Sequence, residues 1–213
     1  MHDDLPSMDN DDLRRGKFSA HKKFNEFTAI LAGNSLLTFA FEIVSSNKLK
    51  LSQKINIDLI KTLSNCSGHS GLALGQYLDL TFENKKISKQ NIIDMQKKKT
   101  GKLFGFCCES IAIINKENIK KRNLLKEIGI NIGLLFQIVD DLIDFKGDSK
   151  IVGKPTQNDE KKGKATLINL LGYKESLIFA KSLKNQLDKK IKELGKNSQD
   201  LLESVEFIID REF

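Results

Sequence analysis

Apolar residues along the 213-residue chain recur at three- and four-residue spacing rather than alternately. Phe24, Phe27 and Leu31 mark one such series, Ile92 and Met95 a second, and Leu124, Ile128, Ile132, Leu135 and Val139 a third. That spacing puts apolar side chains on one face of a 3.6-residue helix, whereas a half-buried strand would alternate with period two. The pattern predicts helices over 19–46, 54–66, 68–82, 89–114, 117–146, 163–171, 173–194 and 198–211, and no strands. Breaks are expected at Ser45-Ser46-Asn47, at Glu83-Asn84-Lys85 and from Lys146 to Lys162. The two prolines, Pro6 and Pro155, leave few helices to interrupt. With no internal repeat and no linker rich in Pro, Gly or Ser, a single all-α domain over 1–213 is the expectation.

Composition narrows the class. At 39% hydrophobic and 30% charged, with no Trp, the chain has the makeup of a soluble globular protein and not of a disordered one. The net charge of +7 comes almost wholly from Lys, in mixed runs such as Lys97-Lys98-Lys99 and Lys189-Lys190. Such runs read as solvated helix faces, and the shortage of Arg and interleaved aromatics speaks against nucleic acid as a partner. Cys66, Cys107 and Cys108 are odd in number and form no CxxC pair, which points to a reducing cytoplasm rather than a disulfide framework. The longest apolar stretch, Leu36 to Val44, is interrupted by Thr38 and Glu42, so no stable membrane insertion is expected.

Two aspartate clusters carry the chemistry. Asp3, Asp4 and Asp9 open the chain, and Asp140, Asp141 and Asp144 follow the apolar stretch Ile128 to Val139. Asp140 and Asp144 are four residues apart and share a helix face, with Asp141 beside them and Gly147 placed as a C-cap. Pro6 disfavours helix at Leu5, so Asp3 and Asp4 are expected at a helix end and Asp9 in a loop. Both clusters would then sit near helix C-termini, where the macrodipole disfavours anions. Bound cations are the simplest remedy, and carboxylates favour hard ones such as Mg²⁺. A diphosphate is the natural thing for Mg²⁺ ions to hold between two acidic walls. Arg14-Arg15 stands out in a chain with only Arg122 and Arg211 besides, and guanidinium offers phosphate a bidentate fork. His2, His21 and His69 are scattered and read as structural, and Gly71 and Gly75 read as sites of close helix packing. Ser70 lacks the preceding strand that a nucleophile elbow needs. Phe104, Phe106, Cys107 and Cys108 read as core or cavity wall.

The order and spacing of further motifs resemble one family over essentially the whole chain. His2-Asp3-Asp4-Leu5-Pro6 through Asp9, then Asp11-Asp12-Leu13-Arg14-Arg15-Gly16, resembles the first aspartate-rich motif of the trans-isoprenyl diphosphate synthases, the polyprenyl synthetases. Phe136-Gln137-Ile138-Val139-Asp140-Asp141-Leu142-Ile143-Asp144 resembles their second. Leu31-Ala32-Gly33, Gly75-Gln76 with Asp79, Lys99-Thr100-Gly101, Gly153-Lys154 and Gly163-Lys164-Ala165-Thr166 fall between and after them. The ending Phe207-Ile208-Ile209-Asp210-Arg211 is similar to the bacterial farnesyl diphosphate synthases, geranyltranstransferases by another name.

The resemblance implies a helical bundle around a deep cavity, in which Asp3, Asp4, Asp9, Asp140, Asp141 and Asp144 hold Mg²⁺ on an allylic diphosphate. Arg14, Lys99, Lys154 and Lys164 would contact that diphosphate and Arg15 isopentenyl diphosphate, with Lys99, Thr100 and Gln137 near the reacting carbon. It further implies Mg²⁺-dependent condensation to farnesyl diphosphate by a homodimer, with geranyl or geranylgeranyl diphosphate as alternative products. A terpene cyclase is disfavoured, because its second metal site carries Asn, Ser and Glu. Two departures stand out. Asn34 replaces a frequent Asp, and family members carry several helices ahead of the first motif, whereas this sequence starts at Met1. The expectation is therefore an N-terminally truncated bundle: a fragment, a misplaced start or a catalytically impaired partner subunit.

Overall fold

The computed structural model describes residues 1–146, 162–195 and 198–211. Gly147, Gly153, Lys154 and Pro155 lie outside the described residues, and with them the expected C-cap and one expected diphosphate contact. The described part is helical almost throughout. Helices α1 (Ala20–Lys23), α2 (Glu26–Ser45), α3 (Gln53–Ser67), α4 (Leu72–Thr81) and α5 (Lys89–Gln96) lead to a π-helical turn, Lys97–Gly101. Helix α6 (Lys102–Ile114) continues the same rod, followed by α7 (Ile119–Lys146), α8 (Leu167–Leu171), α9 (Tyr173–Lys192) and α10 (Gln199–Ile209).

Helix α7 organises the rest. Ile128, Leu135 and Ile138 are fully buried on it, with Ile132 and Val139 close behind, which follows the spacing in the sequence. Around them pack α6, α9 and α10, whose Leu187, Ile191 and Val205 complete one apolar core. Burial of each such side chain contributes about 1.5–3 kcal/mol relative to exposure.

The α6–α7 contact is close because both helices present glycine. A Cβ on Gly129 would stand 2.4 Å from the Phe104 carbonyl oxygen, and one on Gly133 would stand 2.6 Å from Gly101 Cα. Gly75 of α4 likewise lies against the π turn, where a Cβ would fall 2.0 Å from Lys99 N. Gly75 thus packs as the sequence suggested, while the α6–α7 glycines emerge only from the structure.

Several expectations need correction. The predicted 19–46 helix divides at Asn25, whose side chain accepts a hydrogen bond from Thr28 N at 2.8 Å and so starts a new helix as its N-cap. Helix α4 starts at Leu72 rather than 68, after the turn that joins Gly68 O to Gly71 N. Strand is present after all: Leu13–Arg14 (β1) pairs antiparallel with Lys17–Phe18 (β2). The Arg15-Gly16 link has φ of 53° and 73°, the left-handed pair that a tight hairpin demands. Asp3 and Asp4 lie in successive turns and not at the end of a helix.

Helix α2 departs most. Phe27, Leu31 and Phe39 are more than half exposed, and Ala29 is its one buried residue. With a mean hydropathy of 1.6, Glu26–Ser45 is long and apolar enough to cross a membrane by length and composition alone, which the interrupted pattern in the sequence did not suggest. Its interior carries one charge, Glu42, beside the uncharged Asn34 and Thr38, too little to end the run.

Replacing Gly129 by Ala is expected to cost about 1–3 kcal/mol, because backbone atoms cannot yield to the added methyl as a side chain would. Urea unfolding followed by circular dichroism measures this directly. An unchanged midpoint would show that α6 and α7 separate freely.

Candidate active site

A cleft of about 450 Å³ opens between the N-terminal turns, the π turn and the C-terminal half of α7. Asp3, Asp9 and Asp11 face it from one side, and Asp140 and Asp141 from the other. Leu72, Met95, Leu103, Phe104 and Phe136 supply an apolar lining, with the rings of Phe104 and Phe136 centred 5.7 Å apart. The sequence placed Phe104 in a cavity wall correctly, whereas Cys107 is exposed on the same helix.

Two lysines occupy the middle. Lys99 Nζ lies 2.8 Å from Asp79 Oδ2, 3.8 Å from Asp9 Oδ2 and 3.9 Å from Asp3 Oδ1. Lys164 Nζ lies 2.7 Å from Asp9 Oδ1, 2.9 Å from Asp79 Oδ2 and 2.9 Å from Glu83 Oε1. Burial pulls both ammonium groups toward neutrality, but the surrounding carboxylates more than offset it and raise both above the ordinary lysine value. The same partners act on Asp9 in reverse. Burial pushes its carboxyl up, and Lys99, Lys164 and Lys162 together hold it below the usual range. For Asp3 burial prevails over Lys99, and the carboxyl lies above that range.

Arg14 bonds Asp4 through two nitrogens, one of them at 3.0 Å. Asp4 itself is buried. Arg15, at the tip of the hairpin, is exposed and lies outside the cleft lining, away from Arg14. On the far wall Asp141 is buried and held by two amides. Gln96 Nε2 donates to its Oδ2 and Gln137 Nε2 to its Oδ1, both at 2.8 Å. Thr100 Oγ1 donates to Gln137 Oε1 at 2.9 Å, which ties the π turn to α7. Asp140 is half exposed toward the cleft with Arg211 Nη2 at 4.0 Å, and Asp144, one helical turn further on, is buried outside the lining.

Sequence reasoning missed four contributors. Asp79 was noticed only as part of a motif, though it bridges both lysines. Gln96 and Glu83 gave no signal, since isolated polar residues on helices are usually solvated. Lys162 bonds Asp11 and the Asp9 carbonyl, and its only sequence signal was its place two residues before Lys164. A depression of about 460 Å³ elsewhere is lined by Lys97, Lys98, Lys102 and Lys126, with Asp94 and Glu127 between them. Its mixed signs are those of a solvated face, as the sequence suggested for such runs.

The donor set suits a hard cation. Asp3 Oδ1 is buried and accepts no hydrogen bond among the described residues. Among those residues no three acidic, His or Cys side chains converge closely enough to cage a metal unaided. Mg²⁺ is typically held by one or two carboxylates together with substrate phosphate oxygens and water, which is what facing walls across an open cleft can provide.

Asp141→Asn is expected to lose about 1–3 kcal/mol of stability, because one of the two donated hydrogen bonds then meets another donor. Asp140→Asn, at a half-exposed carboxylate, is expected to change stability by less than about 0.5 kcal/mol. Paired urea titrations separate the two, and equal losses would contradict this division of roles.

The polyprenyl synthetase family model matches residues 1–207. Among curated relatives, a farnesyl diphosphate synthase of Micrococcus luteus is 37% identical over 211 residues, 99% of this chain and 72% of that protein. One of Geobacillus stearothermophilus is 39% identical over 183 residues, 84% of this chain and 62% of that protein. A geranyltransferase from Helicobacter pylori, solved in complex with magnesium and isoprenyl diphosphate, superposes with a TM-score of 0.85 at 33% identity. That alignment covers 98% of this chain and 68% of the solved one. The chain thus spans between 62% and 72% of these relatives, with its cleft in the part they share. It belongs to the polyprenyl synthetase family.

Proposed function

We propose that the cleft joins isopentenyl diphosphate head-to-tail to dimethylallyl or geranyl diphosphate and forms farnesyl diphosphate. The observation that supports this reading is the pair of facing aspartate walls with Lys99 and Lys164 between them. Asp3 and Asp9 on one wall, and Asp140 with its neighbours on the other, would hold Mg²⁺. Bound there, the cations would neutralise the charge that builds on a departing diphosphate.

The chain's own residues would do the remaining work. Lys99, Lys164 and Arg14 set cationic hydrogen-bond donors where the diphosphate lies, and their orientation is fixed before reaction by Asp79 and Asp4. Thr100 and Gln137, already bonded to each other, stand near the reacting carbon. Phe104 and Phe136 keep water from that carbon while it carries positive charge. The allylic C–O bond breaks with its electron pair leaving on diphosphate, and the isopentenyl double bond attacks the allylic carbon. The proton lost from the isopentenyl unit passes to the released diphosphate, so no protein nucleophile is consumed. Arg15 on the exposed hairpin would meet isopentenyl diphosphate outside the lysine pair, and Lys154 would add to the allylic side.

We further propose that the protein works as a homodimer. Helix α2 exposes Phe27, Leu31, Leu36, Leu37 and Phe39 together, and an apolar surface of that extent is one that a second copy would cover.

Asp3→Ala and Asp140→Ala are each expected to abolish Mg²⁺-dependent binding of an allylic diphosphate analogue while helicity stays unchanged. Calorimetry reads the first and circular dichroism the second. Metal-dependent, wild-type affinity in both variants would remove the proposed site. Chromatography of products from isopentenyl and geranyl diphosphates would then test the reaction itself.

For assembly, light scattering is expected to give twice the chain mass, and Leu31→Glu with Phe39→Glu is expected to reduce it to one. A monomeric wild type, or one that floats with lipid vesicles, would contradict the homodimer.

A further inference from the structure

Lys99 and Lys164 come from elements far apart in sequence, yet they meet on a single oxygen atom. Asp79 Oδ2 accepts from Lys99 Nζ at 2.8 Å and from Lys164 Nζ at 2.9 Å. Asp79 is buried on α4 and is not part of either aspartate-rich motif. Its place is fixed by packing one helical turn earlier, where Gly75 lets α4 lie against the backbone of Lys99 itself. The π turn adds to this, since its extra residue per turn turns Lys99 toward α4. Lys164 is brought in from the other side by the Asn84 N to Gly163 O hydrogen bond of 2.9 Å, which joins its segment to the end of α4.

Both lysines also lie against Asp9, within 3.8 Å for Lys99 and 2.7 Å for Lys164. Asp9 is a proposed metal ligand and Asp79 is not. A cation on Asp9 would repel the two ammonium groups from it; Glu83 would still hold Lys164, but the carboxylate that would then hold both lysines together is Asp79.

We propose that Asp79 is a positioning residue, which keeps Lys99 and Lys164 together and aimed into the cleft while Asp9 changes partner from lysine to metal. The proposal rests on the diphosphate reading above. It separates pre-organisation from simple charge, because Asp79 is an anion in a site for an anion. If it acted by charge alone, its removal would strengthen diphosphate binding. If it positions the lysines, its removal weakens binding despite the more favourable net charge.

The test is calorimetric titration of the 213-residue chain with inorganic pyrophosphate at saturating Mg²⁺, in wild type, Asp79→Asn, Lys99→Met/Lys164→Met and the triple variant. Asp79→Asn is expected to weaken binding about tenfold, the scale of one lost charge-assisted contact. In the double-Met background the same change is expected to alter affinity less than about twofold, since the groups it positions are gone. Unchanged or tighter binding by Asp79→Asn overturns the proposal, as does an equal loss in both backgrounds. If Asp79→Asn shows no folding transition in urea, Asp79→Glu replaces it. That variant keeps the charge but moves it by one methylene, and severalfold weaker binding is again expected, with wild-type affinity overturning the idea. A wild type that does not bind pyrophosphate with Mg²⁺ overturns the diphosphate reading and this proposal with it. Wild-type binding with an insensitive Asp79 overturns the proposal alone.

Discussion

Mutual repulsion among carboxylates is the constraint on which the cleft depends. Asp3, Asp9, Asp79 and Glu83 crowd one side of a partly buried space, where like charges cannot all remain ionised without counter-charge. Lys99 and Lys164 supply it. Burial works against the charges of Asp3, Asp9 and both lysines, and pairing wins at all but one of them: Asp9 is held down, both lysines are held up, and Asp3 rises. In the proposed function a divalent cation would take over the lysines' role on Asp9 and leave them to an incoming anion.

That balance requires backbones to approach closely, and glycine makes the approach possible. Gly75 sets α4 against the π turn, while Gly101 and Gly133 bring the π turn against α7. The three elements that carry Asp79, Lys99 and the second aspartate wall are therefore spaced by backbone contact rather than by adaptable side chains. The Thr100–Gln137–Asp141–Gln96 chain of hydrogen bonds then locks the π turn to α7 on the polar side. Geometry held in this way reorganises little during reaction, which is the main source of electrostatic stabilisation in a cleft of this kind.

Much of this could be read in the residues. The spacing of Ile128, Ile132, Leu135 and Val139 located α7 and its buried face, because one-sided burial leaves a period in the sequence. The aspartate clusters with Lys99, Thr100, Gln137 and Lys164 were recognised by motif; Asp3, Asp9, Asp140 and Asp141 line one cleft with those four residues, whereas Asp4 and Asp144 are buried outside its lining. Other features left no local trace. The π turn spans Lys97-Lys98-Lys99-Thr100-Gly101, ordinary helix formers apart from the glycine, and packing against Gly75 and Gly133 decides its form. Asp79 is one acid on an apolar helix, and its partners lie 20 and 85 residues away. Arg15 followed Arg14 in sequence, yet the hairpin turns it out of the cleft. Periodicity in α2 located a helix correctly but could not say what covers it, since the same spacing serves an internal core and an external contact alike.

The most direct test is a crystal structure of the chain with Mg²⁺ and an unreactive thio-analogue of an allylic diphosphate. Density is expected for cations on Asp3 and Asp9 and on the Asp140 wall, with the diphosphate between them and Lys99 and Lys164 in contact with its oxygens. A diphosphate seated elsewhere, or lysines still resting on Asp9 with cations absent from both walls, would contradict a substrate held between the two acidic faces.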